Sequence, residues 1–234
     1  MQAWQFVDSG LVPESNHIMA LMQRGDELVI RVDDRELMGN RAHGSEDALA
    51  DLACDRLLPA HPDARVLIGG LGMGFTLAAA LRRLGPEAQV TVAEMVPVVI
   101  KWNHGIVGDV AGRPLDDPRA SVYAGDVADL IQMPPHPWDA ILLDVDNGPV
   151  ALTRAGNGWL YAWQGLDAAF DAIRPGGILA VWSAAHDPGF TRRVERAGFE
   201  VEVVEVRSRG KKGGRRHVVW VGVRREGDRE ARRR

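Results

Sequence analysis

The sequence predicts an α/β protein built on one mostly parallel sheet that closes with an antiparallel hairpin. Three observations lead there. From Ala64 onward, short apolar runs alternate with helix-like stretches; a glycine-rich turn joins the first run to its helix; and no helix separates the last two runs. Alternation of strand and helix argues for a parallel sheet covered on both faces. The last two runs, Phe199–Val206 and His217–Val223, are linked by the basic, glycine-rich stretch SRGKKGG, and only an antiparallel pair allows so short a connection.

The elements follow in order. Residues 1 to 45 differ from the rest: GDELVIRVDDRELMG alternates around Leu28, Ile30 and Val32, which predicts a strand pair turning at Asp33-Asp34. Leu49, Leu52, Ala53 and Leu57 then recur at helical spacing, with Ser45 as the expected N-cap before Glu46 and Asp47. Arg65–Gly69 is the first strand of the alternation and Phe75–Leu84 its helix, stopped by Gly85-Pro86. Strand Gln89–Ala93, helix Pro97–His104, strands Ala120–Tyr123 and Ala140–Leu143, helix Leu160–Ile173, strand Ile178–Trp182 and helix Gly189–Ala197 complete the pattern. A mostly parallel sheet closed by a C-terminal hairpin points to a methyltransferase-type, Rossmann-like nucleotide fold (class I) rather than the dinucleotide-binding one. The expected organisation is a small β segment over 1–45, a nucleoside-binding transferase domain over 46–225 and a basic flexible tail over 226–234.

Composition narrows the function classes. Hydrophobic residues at 46% and charged residues at 26% are ordinary globular values, and a net charge of −4 gives no global attraction to nucleic acid or anionic membrane. Basic residues gather in Arg207–Arg216 and Arg224–Arg234, which read as a solvated turn and a frayed tail, since acids interrupt the tail and few aromatics interleave. Cys54 is the sole cysteine, so no intramolecular disulfide forms; its place in ALADLACDRLL marks a buried structural thiol and suits a reducing cytoplasm. No stretch reads as a signal peptide or membrane span, which predicts a cytoplasmic protein.

Chemistry concentrates at strand ends. In RVLIGGLGMGFTLAAAL a strand runs into Gly70-Leu71-Gly72-Met73-Gly74 and a helix follows at once. Glycine lets the backbone turn tightly and approach a ligand, and the helix start offers free N–H groups. Glu94 ends strand QVTVAE roughly twenty residues later, the spacing of a ribose-binding acid in nucleotide folds. Asp126, in SVYAGDVADL, stands between a strand and a helix, where it either accepts from an adenine amino group or caps the helix. Asp144 ends the apolar strand of WDAILLDVDNGP and faces the crevice where open α/β sheets bind ligands.

In this order the glycine loop, Glu94, DDPRASVYAGDV, WDAILLDVDNGP and RPGGILAV resemble the spermidine synthase family of aminopropyltransferases, within the wider adenosylmethionine-dependent methyltransferase superfamily. The resemblance covers Ala64 to Trp182, and is weaker through the N-terminal hairpin. It implies that Gly70, Gly72 and Gly74 meet the nucleoside, with Met73 beside them, that Glu94 takes the ribose and Asp126 the adenine, and that Asp144 orients and deprotonates the attacking amine. Two departures stand out. Gly72 occupies the position of the family's loop aspartate, which binds the donor's aminopropyl amine, and the family's tyrosine–histidine pair has no match in the helix Ala48–Ala53. A neutral loop no longer repels the carboxylate of intact adenosylmethionine, so intact or decarboxylated adenosylmethionine are both expected donors, with methyl transfer narrowly favoured and aminopropyl transfer the alternative. A nucleoside-binding module without turnover is a further alternative, and a nicotinamide dehydrogenase is disfavoured by the glycine spacing and the closing hairpin.

For the acceptor, a small molecule, the candidates are Asp146 and Asn147 after Asp144, Tyr161 with Trp159 and Trp163, and His186 after a strand end; Arg41 and His43 are weaker ones. No histidine spacing suggests a metal. No nucleic acid or membrane partner is expected, and a homodimer is, through the family's habit of pairing by its N-terminal β-domain.

Overall fold

The computed structural model describes residues 2–33, 35–57, 62–145 and 158–225. Two sheets organise it. The first is four antiparallel strands in order β1 (Gln5–Leu11), β2 (Ile18–Arg24), β3 (Glu27–Val32) and β4 (Arg35–Gly39). The sequence pattern predicts only the last two. β1 escapes it because its residues are largely exposed, and β2 because it is apolar on both faces, with Met19 and Leu21 buried and Ile18 half exposed.

The second sheet has seven strands: β5 (Arg65–Gly69), β6 (Gln89–Glu94), β7 (Ala120–Ala124), β8 (Trp138–Leu143), β9 (Ile173–Ser183), β10 (Phe199–Arg207) and β11 (Arg216–Arg224). Their spatial order is β10-β11-β9-β8-β5-β6-β7. Strands β5 to β9 pair in parallel, and β11 slots antiparallel between β9 and β10. The predicted mostly parallel sheet with a closing hairpin is the observed one. All six residues of β8 are buried, as expected of a central strand covered on both faces.

Helices α1 (Gly44–Leu57), α2 (Phe75–Arg83) and α3 (Pro97–Asn103) share one core with the first sheet, through Leu21, Leu28 and Ile30 against Leu49, Leu77 and Val99. Short α4 (Ile106–Val110), absent from the sequence reading, follows α3. The other face carries α5 (Val127–Gln132), α6 (Gly158–Tyr161), α7 (Trp163–Ala172) and α8 (Pro188–Arg196), around Trp138, Phe170, Phe190 and Trp220.

Two local expectations change. The single helix predicted over Leu160–Ile173 breaks at Ala162, whose backbone is extended; Arg193 Nε donates to the Tyr161 carbonyl at 3.1 Å there. Ser45 does not cap α1. The helix begins at Gly44, the His43 carbonyl accepts from the Glu46 and Asp47 amides, and the Ser45 hydroxyl donates instead to Glu46 Oε2 at 2.6 Å.

The strand order reverses between β5 and β8. After β5 the chain moves outward through β6 and β7, then returns to lay β8 on the opposite side of β5. That reversal opens a crevice beyond the carboxyl ends of the two strands, the usual ligand site of an open α/β sheet. Gly70 follows β5 and Asp144 follows β8.

Candidate active site

At the reversal, the glycine turn is required by geometry. Gly70, Gly72 and Gly74 have φ of +91°, +51° and +83°, a region that side-chain-bearing residues rarely adopt. A Cβ on Gly70 would sit 2.4 Å from the Asp144 carbonyl oxygen, so only glycine lets the two strand ends meet. A Cβ on Gly72 would come within 2.9 Å of the Met38 thioether, which reaches over the loop from β4. The position that carries the family's loop aspartate is thus roofed by an apolar side chain from the first sheet. Buried Asn103 ties the loop down, its Nδ2 donating to the Gly72 carbonyl at 2.8 Å.

Gly70, Gly72, Ala93, Glu94, Asp126 and Asp144 line one continuous crevice, and Met19, Ile30, Leu37 and Met38 of the first sheet cover it. Glu94 closes β6, and its two oxygens accept from the Leu71 amide at 3.0 Å and the Val96 amide at 2.8 Å. Burial pushes its carboxyl up from the ordinary range while those backbone bonds pull it back. Each oxygen keeps lone-pair capacity for a second donor, which a ribose diol would supply. Asp126 is both things weighed from sequence: it caps α5 by accepting from the Ala128 amide at 2.9 Å, and it lines the crevice.

Asp144 sits at the junction of this crevice with a second, more polar one, which it shares with Glu46, Glu36, Trp182, Arg209 and His217. Thr76, buried on the first turn of α2, donates its hydroxyl to Asp144 Oδ2 at 2.5 Å. Burial raises the Asp144 carboxyl to about 6 against the opposing pull of that hydrogen bond. Glu46 is raised to about 7, by burial first and then by the negative charge of Asp144. Two carboxylates with raised, interacting titrations at one crevice junction are suited to holding a cation or passing a proton.

Sequence reasoning missed Glu46, Thr76, Asn103 and Met38. Glu46 read as a first-turn acid suited to the helix dipole, and no local pattern places it opposite a residue nearly a hundred positions away. Several expected residues lie elsewhere. The Met73 side chain is 2% exposed and packs in the core, so its expected contact with the nucleoside is corrected to a packing role. Tyr161 is likewise core: its ring packs edge-on to Phe190 and its hydroxyl donates to the Val145 carbonyl at 3.1 Å. Trp159 packs beside it, and Trp163 is exposed. His186 is exposed and stacks on Trp220, outside both crevices. Arg41 faces Asp26 and Glu27, and His43 bonds Asp47 at 2.8 Å while stacking on Phe75. Cys54 is buried and its thiol is pushed up to about 12, as a structural thiol should be. Asp146 and Asn147 lie outside the described residues. Among the described residues no cluster of metal-ligating side chains forms, and no helix is long and apolar enough to cross a membrane.

The fold is one shared with solved spermidine synthases. The architecture superposes on a spermidine synthase crystallised with the transition-state analogue AdoDATO, with a TM-score of 0.72, 18% identity, and 96% of this chain and 74% of that one covered. It also superposes on spermidine synthase from Thermotoga maritima, with a TM-score of 0.71, 18% identity and coverage of 96% and 75%. A probable spermidine synthase from Corynebacterium glutamicum gives 0.60 at 16% identity over 94% and 79%. In sequence, the chain is 29% identical over 152 residues to polyamine aminopropyltransferase 2 of Pseudomonas aeruginosa, a match spanning 60% of this chain and 39% of that protein's length. No protein-family model matches the chain. These relatives carry aminopropyltransferase and spermidine synthase names, so the narrow preference for methyl transfer read from the glycine loop finds no support among them.

Proposed function

We propose that the chain is a transferase that moves the aminopropyl group of decarboxylated adenosylmethionine onto a small amine. The observation that carries this reading is the position of Asp144, at the point where a glycine-walled crevice opens into an acid-bearing one. The names of the sequence relative and of the structural neighbours support it.

In the reaction, the acceptor nitrogen attacks the aminopropyl carbon bonded to sulfur. The carbon–sulfur bond breaks, its electron pair stays on sulfur, and methylthioadenosine leaves. The sulfonium is already a good leaving group, so the protein's work is chiefly alignment in a line of nitrogen, carbon and sulfur. Glu94 and Asp126 fix the adenosine, Asp144 holds the acceptor amine and takes its proton, and Thr76 fixes the rotamer of Asp144. The missing loop aspartate leaves the donor's own ammonium to be neutralised elsewhere. Glu46 supplies that charge, and a bound cation keeps it ionised.

Calorimetry with the two donors tests this. The decarboxylated form is expected to bind at least tenfold more tightly than intact adenosylmethionine. Equal affinity, or a preference for the intact form, would return methyl transfer to first place.

A further inference from the structure

The turn between β10 and β11 is basic, with Arg207, Arg209, Lys211, Lys212, Arg215 and Arg216 within ten positions. Its sequence reads as a solvated turn, and its basic side chains are exposed as that predicts, while its backbone is anchored. The Ser208 carbonyl accepts from the Gly44 amide at 2.7 Å, and a Cβ on Gly44 would strike the Gly210 amide nitrogen at 2.4 Å, so the turn is docked backbone to backbone on the start of α1. Ser208, itself buried, takes the Arg215 amide on its hydroxyl at 3.0 Å, and Arg209 donates its amide to the Gly213 carbonyl at 2.9 Å. This fixed arch forms one wall of the polar crevice, and Glu46 and Asp144 stand on the same crevice.

The arch carries positive charge without matching acid. Arg216 pairs with Glu205, but among the described residues neither Arg209 nor Arg215 has an ion-pair partner. Beside them, the Trp182 and His217 rings pack with centroids 4.8 Å apart, and both line the crevice. Trp182 Nε1 and His217 Nδ1 are buried atoms with no hydrogen-bond partner among the described residues. Both nitrogens are sealed from solvent behind the wall, so its charge towards the crevice is set by the exposed, unpaired guanidinium groups of Arg209 and Arg215. The carboxylates of the crevice suit an ammonium group, and the two unpaired guanidinium groups across from them suit an anionic group on the same molecule.

On the transferase reading above, we infer that the acceptor is an amine that also carries a carboxylate. Arg209 and Arg215 receive the carboxylate, and Asp144 faces the amine. The planar guanidinium fork matches a carboxylate in a way an ammonium does not.

A matched pair of probes isolates the charge: 1,4-diaminobutane and 2,5-diaminopentanoate, which differ by one carboxylate. Each is titrated into the full chain saturated with methylthioadenosine, and each is assayed for methylthioadenosine release from decarboxylated adenosylmethionine. The carboxylated amine is expected to bind at least tenfold more tightly. Arg209→Ala with Arg215→Ala should abolish that preference, raise KM for the carboxylated amine at least tenfold and leave donor affinity unchanged. The Arg-to-Lys pair, keeping charge without the fork, should restore part of it. Equal binding of the two probes, or a preference that survives the double Ala variant, overturns the inference. Carboxylate-dependent binding with no product from either probe upholds the anion subsite and refutes aminopropyl transfer.

Discussion

The two crevices that meet at Asp144 are built on different principles. The side proposed for the nucleoside is shaped by backbone: three left-handed glycines, strand ends in contact, a roof of methionine and aliphatic side chains, and carboxylates already anchored on amides. The side proposed for the acceptor is shaped by side chains: raised carboxyls at one margin and unpaired arginines at the other. A backbone-built site binds one kind of ligand and announces itself in the sequence. A side-chain-built site is free to change its partner while the fold stays the same.

The contrast can be broken most sharply at the junction itself. Asp144→Asn keeps the shape and removes the base, so kcat is expected to fall by about a thousandfold, within the range ascribed to a positioned proton acceptor. Nucleoside affinity should stay near the wild-type value by calorimetry. A variant that loses binding and turnover together would mean that Asp144 belongs to the nucleoside side alone.

Glu94→Ala tests the other wall. It removes the proposed ribose contact and leaves the Leu71 and Val96 amides without their carboxylate partner, so nucleoside binding should weaken about tenfold to a hundredfold. Unchanged affinity would refute the ribose assignment.

The acidic margin should show itself in stability. Glu46 and Asp144 hold their protons more tightly folded than unfolded, so their contribution to stability is present below the ordinary carboxylate range and is lost as pH rises through about 6 and about 7. Glu46→Gln is therefore expected to be more stable than the wild type above pH 7, by at most about 3 kcal/mol, with the gap closing near pH 4. Thermal melts across that interval read it, and a gap independent of pH would remove Glu46 from the pair. The smallest effect belongs to Thr76→Val. Loss of the hydroxyl that favours the ionised form should move the acid limb of kcat/KM upward by under about one unit.

The same contrast governs what the sequence makes legible. The strands from β5 to β11 are read nearly to their ends because apolar runs and glycine punctuation are local signals, except β9, which starts at Ile173, five residues before the expected Ile178; Glu94, Asp126 and Asp144 come to line the crevice because each ends or follows such a run. β1 is missed because an exposed edge strand has little apolar alternation. Met73 and Tyr161 are misplaced because position on an element does not say which way a side chain turns, and both turn into the core. Glu46, Thr76 and the docked arch are long-range facts, fixed by the packing of α1 against α2 and by Gly44 meeting Gly210. No spacing rule connects them.

On the transferase reading, adenosine is held on one side of Asp144 while an amine attacks from the other. The most direct measurement is methylthioadenosine release from decarboxylated adenosylmethionine, by wild type and Asp144→Asn, with and without an added amine. The account predicts release that requires both the amine and Asp144. Release that ignores the amine, equal rates in the two proteins, or product formed only from intact adenosylmethionine would contradict it.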